Sequence, residues 1–337
     1  MSKNSNIEET ISKVTYNMIV EKDTYKGNQK NKSNQEKPEN EDYFKIIDNL
    51  FIVVDGITRE KYYLKDKSIA REVSEAFVEN FARECLSNYC ISSNSNDIYK
   101  LLVNSFKKAN ERIYYINQEY ISKYKENNLK FFEKPGCVGV VALVHNNNLY
   151  YGYFGDCTLF LIRNNIRIIL GEKQTKCSHK FFNGKINREE LESNYVNHNK
   201  KYGYCVANGD DEAFEYFKVG HIALEEDDVI ILSSDGLTNY LLNVDSSDFA
   251  CESASNIFIN SLNFEGEINK SRNKEYDEFV NRFKKDMSLE ENLNMHRLIN
   301  EHANKYDIKL DDRTLIKIKI ILWKDHNNEN WKIILEH

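Results

Sequence analysis

The chain has 337 residues, enough for one large domain with a sizeable core, and its 41% hydrophobic and 29% charged content is that of a globular protein. A formal net charge of -7 argues against nucleic acid as a partner, because phosphate backbones require basic patches. No apolar run reaches the ~20 residues of a membrane-spanning helix. The 7 cysteines (Cys85, Cys90, Cys137, Cys157, Cys177, Cys205 and Cys251) contain no CxxC pair, which excludes a zinc ribbon and leaves reduced thiols. The start, "MSKNSNIEETISK", lacks an apolar signal core, so a cytoplasmic chain that binds neither membrane nor nucleic acid is expected.

In chain order, "KVTYNMIVEK" alternates as a first strand, and the polar "KGNQKNKSNQEKPENED" is loop. "LFIVVDG" is a buried strand that ends on an acid and a glycine. "DKSIAREVSEAFVENFAREC" sets Ile69, Val73, Ala76, Phe77 and Phe81 along one helical face. A longer helix starts at "SNDIYKLLVNSFKKANERIYYINQEY", capped by Asn96 or Asp97, with Leu101, Leu102, Phe106, Ala109, Ile113 and Ile116 inward. "CVGVVALVHNNNLYYGYFGDCTLFLIRNNIRIIL" reads as three or four short strands joined by turns around Asn147 and Asn164. Residues 171–228 are polar and irregular, an elaborated surface loop, and "VIILSSDG" is another buried strand. Residues 269–304 read as helix. "TLIKIKIILW" and "NWKIIL" close the chain as strands, with Lys317 and Lys319 marking a half-exposed face. This order gives an α+β architecture with helices outside two packed sheets.

Two buried strands end on Asp-Gly, at Asp55 and Asp235, and a third is followed by Gly155 and Asp156. An isolated carboxylate is costly to desolvate, but at a strand end it reaches into a cleft while its backbone stays anchored. Several converging carboxylates repel one another unless a cation lies between them, and Mg²⁺ or Mn²⁺ answers that need with oxygen ligands and retained waters. Taken singly, each Asp-Gly is an ordinary turn. The ordered set is more informative: "NED", "VVDG", "GDC", "SSDG", then "DDRT" leading into a strand.

That set resembles the metal-dependent protein phosphatase family, the PPM or type 2C serine/threonine phosphatases, from about Glu36 to Lys319. The resemblance implies a four-layer αββα sandwich, two antiparallel sheets flanked by helices. A single domain over 1–335 is expected, and the polarity of 171–228 and its position between two motifs suggest a flap-like elaboration that selects substrates. Two Mn²⁺ or Mg²⁺ ions are implied, with Asp55 bridging them. Asp235 and Asp311 would complete one site, and Glu41 with the Gly56 carbonyl the other. Asp42 would orient a metal-bound water or take part directly, and Asp156 would help Asp235 hold a weaker third ion. The implied reaction is hydrolysis of phosphoserine or phosphothreonine in a phosphoprotein by a metal-bridging hydroxide, with Asp55, Asp235 and Lys37 as the catalytic set; the sequence does not fix the oligomeric state, and a monomer is the expectation.

The sequence departs from that family in places. Lys37 stands where the family usually has a phosphate-binding arginine; it either supplies a point charge to the phosphate or is an ordinary surface lysine. "ITRE" after Gly56 offers no histidine to protonate a leaving group, and Cys157 replaces a usual serine as a packed small side chain. Three other readings fit less well, among them a soluble scaffold whose acids merely face solvent, which needs the ordered motif set to be accidental. The haloacid dehalogenase pattern fails, because it needs two aspartates one residue apart, and Val53 and Ile57 flank Asp55 at that spacing. A pseudophosphatase, kept as a regulatory binding module, would have shed ligand acids, and all the matched acids are present.

Overall fold

Runs of buried branched residues organise the chain into two sheets packed face to face. The computed structural model describes residues 15–27, 39–57, 68–90, 93–126, 134–164, 166–171, 174–175, 184–198, 202–237, 311–323 and 333–335. One sheet is antiparallel throughout, in the order β2 (Tyr43–Ile47), β3 (Leu50–Gly56), β4 (Cys137–His145), β5 (Asn148–Phe154) and β8 (Lys218–Ala223). The other runs β11 (Ile333–Leu335), β1 (Thr15–Tyr25), β10 (Arg313–Trp323), β9 (Val229–Ser233), β6 (Thr158–Arg163) and β7 (Ile166–Ile169). It is antiparallel except for β11, which lies parallel to β1.

Strands β4 and β9 are buried at every residue, and β3 at every residue but Asp55, because both of their faces are covered. Helices α1 (Ile69–Asn88) and α2 (Ser95–Glu126) form the layer over the five-stranded sheet. α1 buries Ile69, Val73, Phe77 and Phe81 as its spacing predicts, whereas Ala76 is only partly covered. Phe106 of α2 locks the layers together: its ring stacks on Phe217 at 4.4 Å and meets Phe77 and Phe154 edge-on at 5.7 and 5.2 Å. The cap of α2 is Asn94, not Asn96 or Asp97. Its Oδ1 accepts from the backbone of both, and Asp97 returns a bond to the Asn94 N–H, a reciprocal capping box.

Two strands were not foreseen, β2 and β8, and the second falls inside the stretch expected to be loop. Residues 171–228 also hold α3 (Arg188–Asn194), a 3₁₀ turn at Asp211–Glu215, and bridges from Val196 to Tyr204 and from Cys137 to Ala207. The Asn-rich turns fall where expected, and Asn147 and Asn164 take the left-handed conformation asparagine tolerates. The helix expected over 269–304, and with it the layer outside the six-stranded sheet, lies outside the described residues. The α+β sandwich with helices flanking two sheets is the fold of this chain.

Candidate metal centre

Antiparallel register brings five separate segments to one end of the sandwich. Tyr43 pairs with Val54 and Gly56 with Cys137 in one sheet. Tyr25 pairs with Arg313, and Ser233 with both Thr158 and Leu315, in the other. The residues just outside these pairs are the motif acids: Glu41 and Asp42 precede β2, Asp55 closes β3, Asp235 follows β9, and Asp311 and Asp312 precede β10. Asp156 lies where the chain crosses from β5 in one sheet to β6 in the other. That crossing requires Gly155 at φ 76°, where a Cβ would come within 2.2 Å of Val138.

The two Asp-Gly turns owe their glycines to close packing. A Cβ on Gly56 would come within 2.6 Å of the Ala70 carbonyl oxygen, so glycine lets the end of β3 lie against the first turn of α1. A Cβ on Gly236 would come within 1.9 Å of the Asp312 carbonyl oxygen, so glycine lets the turn after β9 lie directly on the segment that carries Asp311. The glycine rule therefore sets the spacing of acids contributed by different elements.

Electrostatics link these acids. Burial, followed by the charges of Asp42, Asp235 and Asp311, pushes Asp55 well above the usual carboxylate range, and Asp55 shares a hydrogen bond with Asp235. Asp42 is pushed up to about 7, first by burial and then by Asp312, with Asp311 adding to the shift. The Ser234 and Thr314 hydroxyls lie close enough to offset part of that shift, yet neither Asp42 oxygen has a well-formed hydrogen-bond partner among the described residues. Burial and the charges of Asp55, Asp156, Asp235 and Asp42 push the Cys157 thiol well up, so it stays neutral and packed rather than nucleophilic.

This oxygen-rich, charge-crowded end with an orphaned buried carboxylate fits a hard divalent cation. The carboxylates are spread around the end of the sandwich: among the described residues, no three His, Cys, Asp or Glu side chains are grouped as tightly as the ligands of a single ion. Of the residues singled out in the sequence, Asp42, Asp55, Asp235 and Asp311 act on one another directly, and Asp156 reaches the same neighbourhood at Cys157. Glu41 is fully buried beside them, its carboxylate accepting from the Ser68 hydroxyl at the start of α1. Lys37 lies outside the described residues.

Three supporting residues escaped sequence reasoning. Asp312 accepts from the backbone N–H of Gly27 and of Glu41, each at 2.7 Å, and so ties the end of β1 to the acidic loop. Its own N–H donates to Asp311 at 2.9 Å. Ser68 anchors Glu41, and Arg71 donates to the Asp42 carbonyl while lying 4.4 Å from the centre of the Tyr43 ring. Only the adjacency of Asp312 to Asp311 within "DDRT" could have signalled one of them.

Comparison with known proteins follows the same residues. The profile of the Protein phosphatase 2C family matches residues 27–183, which include "NED", "VVDG" and "GDC". "SSDG" and "DDRT" lie beyond that match, and the sheet register carries them to the same end. Solved structures share the fold. The serine/threonine phosphatase PstP/Ppp of Mycobacterium tuberculosis has a TM-score of 0.51 at 16% identity, over 90% of this chain and 99% of that one. The S. agalactiae serine/threonine phosphatase has 0.51 at 18%, over 89% and 98%. Stp1 of Staphylococcus aureus has 0.51 at 18%, over 90% and 94%. Among curated protein sequences none matches.

Proposed function

We propose that this chain, whose residues 27–183 match the protein phosphatase 2C profile, hydrolyses phosphoserine and phosphothreonine esters on proteins with the help of Mn²⁺ or Mg²⁺. The observation that carries the reading is Asp42, buried beside carboxylates delivered by both sheets, with neither oxygen well partnered among the described residues. Asp55, Asp235 and Asp311 would hold one ion, and Asp55, Glu41 and the Gly56 carbonyl a second. Asp156 with Asp235 would hold a weaker third. When bound, such ions supply Lewis-acid stabilisation of the phosphoryl oxygens and a water acidic enough to attack at neutral pH.

The chain's own residues prepare that chemistry. Asp42, whose two oxygens have no well-formed partner among the described residues and only the Ser234 and Thr314 hydroxyls nearby, would accept a hydrogen bond from the attacking water and aim it. Asp312 and Arg71 hold the backbone on either side of that loop, so Glu41 and Asp42 are fixed before substrate arrives. Lys37 would face the phosphate as a point charge, less oriented than an arginine fork. The bridge from Cys137 to Ala207 and the pairing of β8 with β5 tie residues 207–223 to the five-stranded sheet, so a substrate-selecting flap within 171–228 would be drawn from the part before Ala207. The reading extends to a cytoplasmic monomer acting in signalling.

The test is hydrolysis of para-nitrophenyl phosphate and of a phosphothreonine peptide with Mn²⁺, with Mg²⁺ or with chelator. Turnover should require the metal and fall on the order of 10²–10³-fold in Asp55→Asn, the scale of losing one electrostatic element of a transition state. Turnover indifferent to both chelator and Asp55→Asn would overturn the reading.

A further inference from the structure

A second polar feature has no part in the acid cluster. A cleft of ≈ 220 Å³ opens between the C-terminal half of α2 and residues 208–212. Its shape depends on Gly209, at φ 88°, whose backbone lies so close to α2 that a Cβ would come within 2.5 Å of the Tyr114 Cα.

Asn117 lines the cleft and is 2% exposed. Its carboxamide can sit only one way round. Nδ2 donates to the carbonyls of Pro135 at 3.0 Å and Asn208 at 2.5 Å, and carbonyls only accept. Oδ1 is therefore the atom left over, buried and without a hydrogen-bond partner among the described residues. A ligand here must bring an N–H or O–H donor.

The charge on the cleft narrows the choice. Lys134 pairs with Asp210, and neighbouring Asp211 and Glu212 are exposed acids with no ion-pair partner among the described residues. Tyr114, 46% exposed, supplies an aromatic surface. A cation with several donors and a flat face that lies on an aromatic ring satisfies all three conditions, and a guanidinium is such a group.

We propose that this cleft takes the side chain of an arginine in a polypeptide lying across the acid-bearing end of the sandwich. The cleft wall is continuous with that end: the Ile57 N–H donates to the Gly136 carbonyl at 2.9 Å, and Cys137 bridges to Ala207. Asp55 pairs with Val138, so three residues along the chain and one strand spacing separate it from Pro135, roughly 11 Å, which an extended peptide spans in about four residues. The identification of that polypeptide as the phosphorylated substrate rests on the function proposed above, whereas guanidinium binding itself does not.

The experiment uses the full chain with Mn²⁺ and labelled phosphothreonine peptides carrying one arginine at each position within about four residues of the phosphoresidue. Each has a citrulline counterpart, and unphosphorylated versions are read by fluorescence anisotropy. At one or two adjacent positions, arginine should improve both kcat/KM and binding on the order of tenfold over citrulline, the scale of one charge-assisted contact. The double variant Asp211→Asn, Glu212→Gln should erase that preference and leave para-nitrophenyl phosphate turnover unchanged. Equal behaviour of arginine and citrulline peptides in both assays, or a preference that survives in the double variant, would overturn the proposal. Arginine-dependent anisotropy with no phosphopeptide hydrolysis would keep the cleft and remove the phosphatase reading; hydrolysis without arginine preference would do the reverse.

Discussion

Asp312 needs both of its oxygens. The Gly27 and Glu41 N–H groups each take one, inside a site where the side chain is 2% exposed. Asparagine is therefore not a conservative replacement, because its NH₂ would face an N–H donor. Asp312→Ala should cost about 3 kcal/mol or more in urea unfolding, with Asp312→Asn close behind, since bonds to a charged group contribute roughly 1.5–3 kcal/mol each. Both should weaken Mn²⁺ binding by calorimetry although neither removes a proposed ligand. Asp42 gives a different prediction, for the metal-free chain. Its proton is held to about 7 in the folded state and released near 3.8 in the unfolded state. Between those values the folded chain binds more protons, so this contribution to stability is complete below about pH 4 and lost as pH rises through 7. In chelator, the melting temperature should fall from pH 5 to pH 8, and Asp42→Asn should flatten the fall. Added Mn²⁺ should reverse the trend, because the cation then replaces the proton. The sequence showed Asp42 as one acid of a loop. It could not show Asp312 reaching that loop, because the bond to the Glu41 N–H spans 271 residues of chain.

At the scale of the element, legibility followed burial. β3, β4 and β9 are covered on both faces and announce themselves as unbroken apolar runs. The two strands that went unread, β2 and β8, are the two edges of the five-stranded sheet. β2 is half-buried along its length, with apolar residues on both sides of Lys45, and β8 mixes exposed and intermediate positions, so neither shows the two-residue alternation of a strand. The glycines after Asp55 and Asp235 were legible as turns, but what they pack against was not. Gly236→Ala should be far more damaging than its small volume suggests, since its Cβ would meet backbone, which cannot rotate away. Metal affinity should fall along with thermal stability, because the displaced neighbour carries Asp311. Full Mn²⁺ affinity in a stably folded Gly236→Ala would contradict the packing account.

Considered whole, the molecule assembles its acid cluster from both sheets. Asp55 belongs to one, Asp235 and Asp311 to the other, and Asp156 to the link between them. One further consequence lies in the pairing of β1 with β10, which matches Thr15 to Trp323 and Tyr25 to Arg313 without a break. Thr24 and Thr314, in contact through their hydroxyls, are 290 residues apart. A chain leaving the ribosome can close β2 to β5 from its first half, but β1 must wait for a neighbour not yet synthesised. The same delay should appear in refolding, where pulsed hydrogen exchange should find amides of β3 and β4 protected before those of β1 and β10. Until β10 arrives, Asp55 has no companion at position 311, so the growing polypeptide is folded in part while the acid cluster is still incomplete, and the cluster closes only with β10.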